Sequence, residues 1–236
     1  MTQNGLPRHV AIIMDGNRRW ARQHAIRVAL GHRQGVEQVR RIVRESSDLG
    51  IQVLTLYAFS TENWQRDPRE VDALMDLLEE FFNRDIDELD EKNVRIRVLG
   101  VKERLPEKQR GTLVRCEQRT GKNTGLQLNI AINYGARDEI VRMTRTLARM
   151  ARDGEVDPDR IDEKTVSDLL DTAGQPDVDL LIRTSGEMRL SNFLLFQCAY
   201  AEFVFTDVLW PDFGVNEYHQ ALEEYSRRGR RFGGKG

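Results

Sequence analysis

The chain has 236 residues, enough for one sizeable α/β core, and no Pro/Gly/Ser-rich linker divides it, so residues 1–236 read as a single domain. Its 36 basic and 38 acidic side chains nearly cancel to a net charge of −2, which argues against a general nucleic-acid or membrane footprint; the basic charge is local instead, and no nucleic-acid partner is expected. Two cysteines, Cys116 and Cys198, are too few for a disulfide framework or a metal cluster; with no run of about 18 apolar residues and no signal-like N-terminus, the sequence reads as soluble and cytoplasmic.

Val10 to Met14 is a continuous apolar run, the pattern of a strand buried on both faces, and Asp15-Gly16-Asn17 ends it in a turn. His32 to Leu49 carries apolar residues at helical spacing and is closed by Gly50. Ile51 to Phe59 is a second strand, followed by the polar run Ser60 to Arg66. Asp67-Pro68 then opens a long helix whose apolar stripe, Val71 to Leu89, is wider than packing on one sheet face requires. Val94, Ile96 and Val98 alternate with arginines as a more exposed strand, Pro106 to Gln118 is a weaker helix, Leu126 to Ile132 is a strand, and a helix follows Gly135 through Met150. Beyond the Asp157-Pro158-Asp159 turn come a short helix around Val166, Leu169 and Leu170, a strand from Val178 to Ile182 and a polar turn from Arg183 to Asn192. Phe193 to Gln197 reads as helical, Phe203 to Thr206 as a last strand, and Asn216 to Arg231 as a closing helix. Strands alternating with helices predict an open, mostly parallel β-sheet flanked by helices.

Parallel strands put their carboxyl ends on one side, so the three polar turns, at Asp15, Ser60 and Arg183, are expected to converge. One carboxylate, Asp15, beside Arg18 and Arg19 suits an anion that carries Mg²⁺, such as a diphosphate: the metal uses the acid and the guanidiniums use the phosphate oxygens. An ordinary surface turn with a local salt bridge accounts for the same residues. A hydrolase with Asp15 as nucleophile would want a second acid two residues later, where Asn17 stands. There is no Gly-x-Ser-x-Gly elbow, no Walker loop and no Gly-x-Gly-x-x-Gly, which removes support for acyl transfer, P-loop chemistry and dinucleotide binding.

Seven blocks carry a more specific signal: HVAIIMDGNRRWA (9–21), GHRQG (31–35), LTLYAFSTENWQR (54–66), LNIAINYGARDEI (128–140), LIRTSGEMRLSNFLLFQCAYAEF (181–203), VLWPDF (208–213) and RRFGG (230–234). In this order they resemble the cis-prenyltransferase family, and most closely its bacterial undecaprenyl diphosphate synthase branch. The resemblance implies an open α/β sheet rather than the all-helical trans-prenyltransferase fold, a homodimer, and Mg²⁺ as cofactor. It implies condensation of isopentenyl diphosphate with an allylic diphosphate such as farnesyl diphosphate. The product would be a long-chain polyprenyl diphosphate such as undecaprenyl diphosphate, a lipid-carrier precursor for cell-wall synthesis, with transient membrane contact at product release.

By the same resemblance, Asp15 is the essential aspartate that holds Mg²⁺, and Gly16, Asn17, Arg18 and Arg19 form the phosphate loop, with Trp20 and His32 beside the allylic diphosphate. Ser60, Thr61 and Glu62 match a substrate-binding run, and Trp64 and Arg66 match nearby substrate contacts. Asn63 matches the residue assigned to proton acceptance; an amide is a poor base, so an orienting role, or proton removal by the leaving diphosphate, competes with that assignment. Arg183, Arg189, Leu190 and Ser191 match the isopentenyl diphosphate cradle, Glu202 a second metal ligand, and the RRFGG tail a segment reaching the neighbouring subunit. The Val71 to Leu89 stripe then lines a product tunnel, with ordinary core packing as the alternative. A non-catalytic family subunit would have lost Asp15 and the arginines, which this chain keeps.

The chain departs from the family pattern at Val28, where an arginine is usual and Arg27 stands one place off; either Arg27 substitutes or allylic diphosphate binding is altered. Arg18 replaces a glycine of many relatives, Ala58 keeps the tunnel mouth open, and Ile132, bulkier than in some relatives, points to a shorter product. Val28 and Ile132 together leave a short-chain or irregular condensing enzyme open.

Overall fold

Apolar runs and polar turns resolve into six strands in a computed structural model whose described residues are 5–228. The strands are β1 (His9–Ile13), β2 (Val53–Ser60), β3 (Arg95–Leu99), β4 (Gln127–Tyr134), β5 (Leu180–Arg183) and β6 (Glu202–Phe205). They form one sheet in the order β3-β4-β2-β1-β5-β6, and every pairing is parallel, so the sheet is wholly rather than mostly parallel. The helices are α1 (Asn17–Gln23), α2 (Val28–Asp48), α3 (Pro68–Glu91), α4 (Glu107–Thr120), α5 (Ala136–Arg152), α6 (Glu163–Ser167) and α7 (Val215–Arg227).

Strand β1 lies at the centre. The chain steps from it to β2 on one side and later places β5 on the other, with Ala11 opposite both Thr55 and Leu181. Such a reversal of winding opens a crevice beyond the carboxyl ends of the strands involved. Alternation along the strands supplies both faces of the core. Val10, Ile12, Leu54, Leu56, Ile130 and Ile182 belong to one buried cluster, while Ala11, Ile13, Ala131 and Leu181 pack with Phe193 and Leu194 on the other side.

Four elements differ from the pattern read from the sequence. The turn after β1 runs directly into α1, because Gly16 takes φ 115° and lets helix geometry begin at Asn17. Residues 193–197, read as helical, form irregular turns, with Ser191, Asn192 and Leu194 at positive φ. Helix α2 begins at Val28, four residues before the expected His32, and α7 ends at Arg227, short of the expected Arg231. Arg231 and the RRFGG tail lie outside the described residues.

Helices α2 and α3 run side by side in the same direction, as the order of their ion pairs shows: Arg33–Glu80 at 2.9 Å, Arg40–Asp85 at 2.7 Å, Arg44–Glu88 at 2.5 Å and Lys92–Asp48 at 3.4 Å. At the amino end of the sheet, fully buried His9 sits in a closed polar network. Its Nδ1 is 2.8 Å from the Pro176 carbonyl, so that nitrogen carries the proton, and Nε2 accepts from the Thr55 hydroxyl at 2.7 Å. Asn129 in turn donates to Thr55 Oγ1 at 2.9 Å.

Burial pushes the His9 pKa down from 6.5 to about 4, against the smaller upward pull of the Pro176 carbonyl and Asp179. The unfolded chain therefore takes up the proton first as pH falls, and stability is lost between pH 6.5 and about 4 while it is level above that window. The loss from this group amounts to roughly 3 kcal/mol at the acid end. Urea denaturation midpoints measured across that window should decline accordingly, and His9→Asn should flatten the decline.

Candidate active site

Asp15 stands two residues past the end of β1, and its backbone is stitched to the end of the neighbouring strand. The hydroxyl of buried Thr184, immediately after β5, donates to the Asp15 carbonyl at 2.6 Å and accepts from the Asp15 N–H at 2.9 Å. Arg183, the last residue of β5, has a side chain only 4% exposed and donates from Nη2 to Asp15 Oδ2 at 3.0 Å. Its Nη1 donates to Ser191 Oγ at 2.7 Å and also to the Arg189 carbonyl. Arg19 approaches from α1, 3.6 Å from Asp15 Oδ2 and 3.5 Å from Glu187. One carboxylate thus faces two guanidiniums, and Asp15 Oδ1 has no hydrogen bond to any described residue.

The turns enclose a cavity of about 850 Å³. Around its mouth stand Asp15, Gly16, Asn17, Arg18, Arg19, His32, Ser60, Glu62, Asn63, Arg66, Arg183 and Ser191, all of them expected from the sequence. Deeper walls are apolar: Val36 and Val39 from α2, Leu74, Leu77 and Leu78 from α3, and Leu56 and Ile130 from the sheet. Phe81 is the cavity's most distal α3 residue, and the Arg40 guanidinium lies 5.8 Å from its ring centroid. Arg40 is itself tied to buried Asp85, which places an ion pair behind the phenyl ring. The wide α3 stripe divides between two surroundings: Leu74, Leu78 and Phe81 face the cavity, while Val71, Met75, Phe82 and Leu89 fill the core.

Two glycines of the GHRQG block let α1 and α2 close on each other. A Cβ on Gly31 would lie 2.5 Å from the Asn17 carbonyl oxygen, and one on Gly35 would lie 2.4 Å from Asn17 Oδ1 and 2.9 Å from the Trp210 ring. Buried polar atoms at the mouth remain without partners: Asn17 Oδ1, His32 Nε2 and Arg183 Nε. Native interiors rarely tolerate such orphans, and three around one cavity mark a place built for a polar ligand. His32 Nε2 is 3.4 Å from Glu70 but without hydrogen-bond geometry. Burial holds the His32 pKa below the ordinary imidazole range, against the opposing pull of Glu70, so the ring is neutral.

The second turn is fixed by its own cap. Ser60 and Asn63 form a reciprocal capping box around the 3₁₀ turn Thr61–Gln65, and Asn63 Oδ1 accepts the Ser60 N–H at 3.1 Å. Glu62 accepts from Asn192 at 3.0 Å; burial alone would raise its pKa, but hydrogen bonds from Asn192 and its own turn hold it below the usual carboxylate value.

Six expected residues stand outside the cavity wall. Trp20 stacks on His24 and donates to Asp212 at 2.8 Å, and Trp64 donates to Asn133 at 2.7 Å. Thr61 packs against Gly135, and Leu190 against the smaller core cluster. Arg189 is 61% exposed and paired with Glu187, one ion pair removed from Arg19. Glu202 opens β6, opposite the first residue of β5, and bonds to Arg228 at 3.0 Å, so within one chain it does not meet Asp15.

Ile132 is buried but does not line the cavity, whereas Ile130 does. Arg27 lines an outer groove rather than the cavity, and Val28 lines neither. Arg22, which the sequence did not single out, does line the mouth, as do Tyr57 and Asn192. The signal for Arg22 was its place one helical turn beyond Arg18 and Arg19, visible only once α1 is recognised as a helix.

Thr184→Val keeps the shape of the side chain but removes both hydrogen bonds to the Asp15 backbone, leaving its N–H only the Ile13 carbonyl and its carbonyl only the Trp210 N–H, and should cost about 1–3 kcal/mol in urea unfolding. Arg22→Ala should weaken binding of inorganic pyrophosphate about fivefold by calorimetry, the loss expected of one exposed charge contact.

The sequence pattern of the family described as "Putative undecaprenyl diphosphate synthase" matches residues 13–233. An isoprenyl transferase of Agrobacterium fabrum (strain C58) is 52% identical over 232 residues, covering 98% of this chain and 94% of the relative. The crystal structure of lavandulyl diphosphate synthase from Lavandula x intermedia in complex with dimethylallyl diphosphate superposes with a TM-score of 0.96 at 40% identity, over 98% of this chain and 100% of that one. That of "a probable undecaprenyl diphosphate synthase" from Campylobacter jejuni gives a TM-score of 0.79 at 34% identity, over 97% and 99%. With matches of this extent added to the strand-end site, the chain belongs to the undecaprenyl diphosphate synthase family of cis-prenyltransferases and is a prenyltransferase.

Proposed function

We propose that the protein is a Mg²⁺-dependent cis-prenyltransferase that condenses isopentenyl diphosphate with an allylic diphosphate, farnesyl diphosphate as the primer. The observation that carries this reading is the pairing of Asp15 with Arg183 at the lip of a cavity whose mouth is polar and whose depth is apolar. A diphosphate with an isoprenoid tail has the same two-part character.

Mg²⁺ fits the donor set at the mouth. It favours one or two carboxylates with the remaining ligands from water and substrate phosphates, and Asp15 offers a free oxygen without any cluster of three metal-ligating side chains among the described residues. Bound there, the ion supplies neutralisation of the charge that develops on the departing diphosphate. Glu202, paired with Arg228 and away from Asp15 within one chain, would add a second carboxylate only across a dimer, and no step depends on it.

Arg18, Arg19 and Arg22 hold the allylic diphosphate, and their fixed charges favour the state in which its C–O bond breaks. Arg183 and Ser191 hold the diphosphate of isopentenyl diphosphate, so that its double bond faces the allylic carbon. After the new C–C bond forms, one proton must leave. Asn63 is engaged through its oxygen with the Ser60 N–H and orients the substrate, while the departing diphosphate takes the proton. Each cycle adds five carbons, and the tail moves along Leu74, Leu78 and Phe81. Long-chain product, undecaprenyl diphosphate for cell-wall synthesis, is one end point. A shorter product is favoured by Phe81, which closes the deep end with Arg40 and Asp85 behind it.

A second copy suits the β6 edge. Met188, Leu195 and Tyr200 are exposed in the connection between β5 and β6, and a homodimer covers them. The cytoplasm, where isoprenoid diphosphates are soluble, is the proposed location; no helix among the described residues is long and apolar enough to cross a membrane.

Asp15→Asn keeps an acceptor for Arg183 and removes the charge. It should lower kcat by about 10²–10³-fold with little change in Tm, and undiminished Mg²⁺-dependent turnover of isopentenyl and farnesyl diphosphates would overturn the reading. Phe81→Ala should lengthen the product by one or more five-carbon units on thin-layer analysis, at a stability cost of about 3–5 kcal/mol.

A further inference from the structure

The segment that joins α1 to α2 has a composition the reaction does not explain. Between Asp15 and Glu37 the chain has no acidic residue but carries Arg18, Arg19, Arg22, Arg27 and Arg33. Residues 22–27 are exposed without interruption, and two large apolar side chains stand among them or just beyond, Ile26 at 37% and Leu30 at 49%. The guanidiniums of Arg22 and Arg27 form no ion pair or hydrogen bond with any described residue, whereas the other three are paired.

Ile26 and Leu30 line one side of an outer groove of about 630 Å³ whose opposite side is α3, with Ala73 and Leu77. Leu77 also lines the inner cavity and so borders both spaces. The α3 side carries Asp76 and Glu80; Glu80 is neutralised by Arg33 in a two-bond pair at 3.1 and 2.9 Å, which leaves Asp76 as the opposing charge.

We propose that this elbow, residues 20–33, docks the protein on an anionic lipid bilayer. Unpaired arginines meet lipid phosphates while Ile26 and Leu30 enter the boundary between headgroups and acyl chains, the division of labour of interfacial segments. A protein partner fits less well, because protein interfaces are centred on aromatic side chains and the one aromatic of this elbow, Trp20, is already engaged by His24 and Asp212. The position is also chemically apt. The diphosphate mouth lies at the same end of α2, so a product leaving past Leu77 keeps its charged head at the surface and delivers its tail to the hydrocarbon. This step rests on the proposed isoprenoid substrate, but the docking itself is measurable without any substrate.

The test uses the full-length protein and vesicles of phosphatidylcholine with or without phosphatidylglycerol. Wild type should co-sediment with the phosphatidylglycerol vesicles, less at high salt, and far less with phosphatidylcholine alone. Arg27→Glu should reduce partition about fivefold, and the double variant Ile26→Glu/Leu30→Glu by at least as much, while the latter retains its Tm and its condensation rate in vesicle-free buffer. Equal partition of wild type and variants, or no partition of wild type, overturns the proposal. A change in oligomeric mass with unchanged vesicle binding assigns the surface to a protein and likewise overturns it. Loss of vesicle binding in the variants of a protein that shows no condensation at all would sink the functional reading and leave the docking surface standing.

Discussion

The site depends on a short-range stitch between two strands far apart in sequence. Asp15 and Thr184 exchange two hydrogen bonds across the carboxyl ends of β1 and β5, and Arg183 adds a charge-assisted third. Because both strands are locked in parallel register behind them, a carboxylate and a guanidinium are held at hydrogen-bond distance before any ligand arrives. Arg183 keeps one nitrogen unsatisfied in that arrangement, a local cost that the rest of the sheet must outweigh and that a bound phosphate oxygen would relieve.

Around this stitch the cavity divides its tasks by depth. Arginines and short polar side chains gather where strands end, since chain reversals there leave room for polar groups. Apolar side chains continue below, since α2 and α3 must bury their inner faces against the sheet. The same α3 periodicity therefore produces a core and a cavity wall, and no separate sequence signal distinguishes Leu74 from Met75. Glycines 31 and 35 contribute by what they omit, since Asn17 occupies the space a side chain would need.

Much of this is legible without coordinates. Strand runs such as Val10 to Met14 and the polar stops at Asp15, Ser60 and Arg183 follow from hydrophobic periodicity and turn chemistry, and parallel topology then forces convergence. What escapes has identifiable causes. Helix α1 hides behind a glycine whose left-handed backbone looks like an ordinary turn, so Arg22 is not placed beside Arg18. The apolar 193–197 segment invites a helix, but three non-glycine residues near it adopt left-handed conformations that only tertiary contacts can hold, among them the Asn192 carbonyl bonded to Ala136. Ile132 shares a strand face with Ile130 without sharing its depth, and periodicity reports faces only. Arg27 and Val28 differ by about 100° around a helix axis, enough to put one cation outside the wall.

The ladder of ion pairs joining α2 to α3 has a mechanical meaning. Its exposed rungs, such as Arg33–Glu80 and Lys92–Asp48, hold weakly one at a time, and only Arg40–Asp85 is shielded from water. The two helices are therefore pinned near Asp85 and held more weakly elsewhere, so separating them costs least at the Arg33–Glu80 end, beside the cavity mouth, where the space between them can widen without unfastening the buried pair.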